Sequence, residues 1–205
     1  MKMFQISDKL GEVSRIGIGC MRITGLPDEK AVRALIEGSM ELGINFFDHA
    51  DIYAGGEAEA VFGNALTPEL REKLLAFGNG AEPFLQHNHF CVEDVDDGTS
   101  LVTLELQREN LNRWGAPHGG TIFAMADIAA GMAALTVRQD VNVTTSATID
   151  YMAAAPGTGK LIARGRVRHA GGRLCYCATE ITDETGKLIA ELNSVMYYTS
   201  KPLIL

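Results

Sequence analysis

The chain has 205 residues, 46% of them hydrophobic and 21% charged, with a formal net charge of −8. Such a composition supports a packed core for one domain, or for one domain and a fragment. Its acidic balance excludes general affinity for nucleic acid or an anionic membrane, so an anionic ligand would need a local basic patch.

Cys20, Cys91, Cys175 and Cys177 lack the spacing of a disulfide framework and read as free thiols of a reducing compartment. The opening MKMFQISDKLGEVSR has no signal-peptide apolar block. The apolar run from Ile122 to Leu135 is broken by Asp127 and Gly131, so no membrane span is expected. The expected location is cytoplasmic.

Residues 1–76 alternate strand and helix. RIGIGCM reads as a short strand, and Asp28 caps a helix through about Leu42, with Gly43 just past its end. INFFDHADIY is a second strand and GEAEAVFGNAL a second helix, after which Thr67-Pro68-Glu69 starts a further helical turn. This βαβα order implies parallel strands. Residues 77–82, rich in glycine, read as a linker.

Residues 83–205 have a different texture. LVTLELQ alternates Val102, Leu104 and Leu106 with Thr103, Glu105 and Gln107, and KLIARGRVRH sets Leu161, Ala163 and Val167 against Arg164, Arg166 and Arg168. RLCYCATEIT and KLIAELNSVMYY continue the pattern, with hairpin-turn chemistry at Ala170–Arg173 and Asp183–Gly186. The prediction is an α+β domain, an antiparallel sheet wrapped around one central helix from about Gly120 to Val137.

That helix is apolar nearly all round yet carries Asp127, and it opens with His118-Gly119-Gly120. An ionised carboxylate among apolar neighbours is costly unless it is paired, hydrogen-bonded or neutralised, and such acids gather at functional sites. A helix amino terminus offers free N–H groups to an oxyanion, and glycine lets a carbonyl approach closely. From His118 to Asp127 the rise is about 13 Å, too far for one centre to use both ends. Two antiparallel copies in a homodimer would bring one chain's glycines to the other's Asp127.

Asn112-Arg113-Trp114-Gly115-Ala116-Pro117-His118-Gly119-Gly120 and Phe123-Ala124-Met125-Ala126-Asp127 resemble the signature of the hotdog-fold acyl-CoA thioesterases of the phenylacetate-pathway (PaaI-type) subfamily. The likeness extends from about Pro83 to Thr199. It implies an acyl-CoA substrate, no cofactor and no metal, and a site shared between subunits of a homodimer or a homotetramer. The N–H matching Gly119 polarises the thioester carbonyl, and the partner's acid matching Asp127 acts as general base or nucleophile. The amide matching Asn112 orients the reacting groups. Gly120 adjoins the same turn, and Thr144 or Thr145 matches an assisting hydroxyl.

His118 reads as a general base or as a residue that shapes the turn. Arg164, Arg166 and Arg168 would meet coenzyme A phosphates or form a solvated sheet face. The alternative functions are a hotdog protein that binds acyl-CoA, or an acyl carrier, without turnover, and an NADPH-dependent aldo-keto reductase.

The reductase alternative comes from a second resemblance. Ser14–Arg22 and Gly43–Tyr53 resemble the opening of an aldo-keto reductase, the first quarter of a (β/α)8 barrel, with Asp48 and Tyr53 at two catalytic positions. The likeness stops near Leu74. The later strands of a barrel, with their lysine and histidine, have no counterpart, so the fragment is expected to be non-catalytic. His87, His89 and Cys91 alternate as if on one strand face, but no fourth metal ligand lies near them.

Overall fold

A computed structural model describes residues 2–5, 12–63, 68–80 and 82–205, and the backbone divides into two units, Met1–Thr67 and Pro68–Leu205.

In the first unit, β1 (Met3–Gln5) pairs antiparallel with β2 (Glu12–Ser14), a pairing the sequence pattern does not announce. β3 (Ile18–Gly19) lies parallel to β4 (Phe47–Asp48), joined through α1 (Glu29–Glu41). The expected cap is present: Asp28 Oδ1 accepts the Ala31 N–H at 2.8 Å, and Gly43 takes φ +79° beyond the helix. α2 (Glu57–Gly63) follows; residues 64–67, the predicted helix end and the predicted Thr67 start, lie outside the described residues. Cys20, Ile23, Val32, Ile36 and Ala58 form a small core under Phe47 and Phe62. The βαβα order is as predicted, but each parallel strand is two residues long. A barrel strand is held from both sides, whereas each of these has a single partner among the described residues.

The second unit begins with α3 (Pro68–Gly78) and α4 (Pro83–Asn88). The division thus falls earlier than the predicted 77–82 linker, because α3 packs on the sheet that follows. Arg71 pairs with Asp94 and donates to Val95 O at 3.1 Å. Asn79 makes two bonds to the Val92 backbone, at 2.8 and 2.9 Å. Gly78 lies so close that a Cβ there would come within 2.9 Å of Val92 and 3.0 Å of Met132.

β5 (Phe90–Asp96), β6 (Thr99–Glu105), β7 (Asp140–Tyr151), β8 (Lys160–Ala170), β9 (Leu174–Asp183) and β10 (Leu188–Pro202) form one antiparallel sheet, ordered β5-β6-β8-β9-β10-β7. It wraps α5 (Gly119–Val137), the predicted central helix. Alternation delivers the core: Val102, Leu104, Leu161, Ala163, Ile181 and Leu192 are essentially inaccessible. Sheet hydroxyls then fasten the helix. Ser100 donates to Ala129 O at 2.6 Å, Thr179 to Ala126 O at 3.1 Å and Tyr198 to Ala134 O at 2.8 Å.

α5 has 19 residues and mean hydropathy 1.6, long and apolar enough by composition to cross a bilayer, which the sequence reading excluded. Its apolarity here serves burial in the sheet. The predicted alternation of His87, His89 and Cys91 does not occur, because His87 lies in the last turn of α4 and His89 turns left-handed at φ +61° before β5 begins.

Candidate active site

The site starts in the loop before α5. Asn112 folds it: its Oδ1 accepts the N–H groups of Trp114 at 2.9 Å and Ala116 at 3.2 Å, and its own N–H donates to Ala116 O at 2.8 Å. Gly115, at φ +76°, completes the turn. The Asn112 Nδ2 has no partner among the described residues, which leaves its amide N–H groups for a ligand.

His118 is the N-cap of α5, its Nδ1 accepting the Gly120 N–H at 2.9 Å. That bond gives His118 a part in shaping the turn, one of its two readings. Gly120 N–H is thereby occupied. Gly119 N–H has no partner among the described residues, so it is a free donor at the helix start. It opens on a cavity of about 280 Å³ lined by Asn112, Ala116, Pro117, Gly119, Ile122 and Tyr151.

Asp127 lies two turns on, about 12 Å along the axis. It is half-buried, as are Phe123, Ala124, Ile128 and Gly131, and these five form the stripe of α5 that its own sheet leaves uncovered. The charge is therefore at the open face of the helix and not inside the core. Thr144 Oγ1, on β7, donates to Asp127 Oδ1 at 2.7 Å. Thr145 does not join it, because its hydroxyl bonds Val195 O at 3.0 Å.

The arginines are not brought to this place. Gly165 faces α5, so Arg164 and Arg166 point from the other side of the sheet, and Arg164 and Arg168 bond Thr182 and Asn193 at 3.3 Å. The depression beside Arg164 and Arg166 is also lined by Asp94, Asp96 and Glu180, carboxylates that oppose a phosphate. Tyr151 is the residue whose part the sequence does not reveal: its OH donates to Gly119 O at 2.8 Å, a contact 32 residues distant.

In the first unit, Tyr53 OH donates to Asp48 Oδ2 at 3.0 Å. That bond to a carboxylate holds the phenol above its ordinary range, the wrong direction for a proton donor at neutral pH.

Comparison with known proteins also divides the chain in two, with a boundary later than that between the structural units. The Thioesterase superfamily model matches residues 115–190, and the Aldo/keto reductase family model matches 15–77. A candidate esterase of Saccharolobus solfataricus is 31% identical over 101 residues, 49% of this chain and 71% of that protein. The 6-dehydroglucose reductase of Agrobacterium fabrum is 44% identical over 78 residues, but the match spans only 26% of its length and 36% of this chain.

Among solved structures, a mutant of the phenylacetic acid degradation protein PaaI of Thermus thermophilus matches with a TM-score of 0.54 and 26% identity, over 58% of this chain and 99% of that one. A hypothetical thioesterase of Streptococcus pneumoniae solved with coenzyme A gives 0.52 and 26%, over 55% and 90%.

Proposed function

Because the chain belongs to the thioesterase superfamily, we propose that it hydrolyses an acyl-coenzyme A thioester at a site completed by a second copy of itself. Water adds to the thioester carbonyl carbon as Asp127 takes its proton, or the Asp127 carboxylate adds directly and water cleaves the resulting anhydride. In both courses the carbonyl oxygen becomes an oxyanion against the Gly119 N–H of the other copy. In the first course the C–S bond then breaks and the proton held by Asp127 passes to the departing sulfur, releasing coenzyme A thiol and the carboxylic acid. In the second the C–S bond breaks as the anhydride forms and coenzyme A leaves as thiolate. Water then releases the acid and restores the Asp127 carboxylate. Asn112 Nδ2 is the second donor available to the thioester.

The observation that carries this reading is the position of Asp127, on the open stripe of α5, held by Thr144 and two turns from its own chain's Gly119. One chain has both halves and cannot use them together. The outer edge of the sheet supports a second copy. Among the described residues β7, 12 residues long, pairs only with β10, and most of its side chains are exposed, Val143 by 47% and Tyr151 by 52%. An edge of that length is a template for pairing with another chain.

The test is release of free thiol from a panel of short-chain and aromatic acyl-CoAs, with Asp127→Asn beside the wild type. A fall of about a hundredfold or more is expected for the variant. Equal rates remove Asp127 from the chemistry. Binding without thiol release in the wild type makes the protein an acyl-CoA binder. A monomer in light scattering at assay concentration contradicts the shared site.

A further inference from the structure

We infer that Tyr151 is a positioning residue for the Gly119 N–H, acting through the peptide group that joins Gly119 to Gly120. This rests on the thioesterase reading above.

Both polar ends of that peptide are held by side chains from outside the helix. His118 Nδ1 accepts the Gly120 N–H at 2.9 Å, and Tyr151 OH donates to the Gly119 carbonyl at 2.8 Å. Two consecutive glycines in a first helical turn are the least restrained backbone the chain can offer. A donor that stabilises an oxyanion is worth most when it is fixed before charge develops. Pinning the 119–120 peptide at both ends removes its rotation and aims the N–H one residue earlier. The contact is close: a Cβ on Gly119 would lie 3.2 Å from the Tyr151 phenol oxygen. Burial holds that phenol above its ordinary range, so its proton stays available for donation through neutral pH.

The sheet is built to make this contact together with the one at Asp127. Thr144 pairs with Met196 and Ser146 with Val195, so β7 has one extra residue, Thr145, at a bulge. Thr144 and Tyr151 are seven apart, and an unbulged strand would turn them to opposite faces. With the bulge, both reach α5, one at each functional end.

Tyr151→Phe keeps the ring and removes the hydroxyl. The expected result is a kcat lower by about three- to tenfold, the worth of one ordinary hydrogen bond, with KM within about twofold of wild type. Acetyl-CoA and benzoyl-CoA are the probes. In 15N-glycine-labelled full-length protein, the Gly119 and Gly120 amide signals shift in the variant while the melting temperature is retained. A wild-type kcat, a loss confined to KM, or unmoved Gly119 and Gly120 signals would overturn the inference. Absence of hydrolysis by the wild type sinks the thioesterase reading instead, and the glycine signals then judge the clamp by themselves.

Discussion

The Thr144 hydroxyl donates to Asp127 Oδ1 at 2.7 Å, tying the outermost strand of the sheet to the middle of the helix it wraps. A bond to an ionised carboxylate is worth about 1.5–3 kcal/mol, and here it also fixes which carboxylate oxygen faces the open side. Thr144→Val is expected to lower kcat for acyl-CoA hydrolysis about tenfold or more by thiol release. Thr145→Val changes it by less than about twofold, since that hydroxyl serves only the Val195 carbonyl. Equal losses in both variants would mean that β7 as a whole, and not the Thr144 contact, sustains the site.

Helix and sheet approach closely at Gly165. A Cβ there would sit 2.5 Å from Ala129 O, a backbone atom that cannot swing aside. Gly165→Ala is expected to cost about 3 kcal/mol, read as a lower urea midpoint. An unchanged midpoint would mean that α5 lies farther from β8 than described.

Helix α3 belongs to the thioesterase unit in space, although the reductase-like match includes most of it. Leu74 is fully buried, and Asn79 satisfies the Val92 backbone on the outer edge of β5. A chain beginning at Pro68 is expected to melt cooperatively and keep hydrolysis. One beginning at Pro83 exposes that edge and loses several degrees of melting temperature. Equal melting of the two truncations would contradict the packing.

The thiols report the fold independently. Cys91 is exposed, while Cys20, Cys175 and Cys177 are buried, the last two with sulfurs 3.7 Å apart. One thiol should react quickly with an aromatic disulfide reagent in the native protein, and four after denaturation. Burial and the nearby Glu93 carboxylate raise the Cys91 thiol, so its reaction rate is expected to keep rising above pH 9. Rapid reaction of two or more thiols before unfolding would show that at least one of the three buried thiols is accessible.

Much of the fold was legible because its signals are local. The Asp28 cap, the glycine-rich start of α5 and the alternation in β9 and in β8 up to Val167 each depend on residues within a few positions of one another. β5 and β7 were less legible. One follows a left-handed His89, and the other changes parity at Thr145, where no hydrophobic pattern marks the extra residue.

By itself, the sequence determined that one apolar helix would open on His118-Gly119-Gly120, carry Asp127 two turns on and be wrapped by alternating strands. Only the tertiary structure decided that Asp127 lies on the uncovered stripe, that Thr144 and not Thr145 reaches it, and that the arginines face away. It also decided that Tyr151 holds the glycine turn. These outcomes depend on strand register and on bulges such as that at Thr145, which are set by packing between segments far apart in the chain and leave no periodic trace within any one of them.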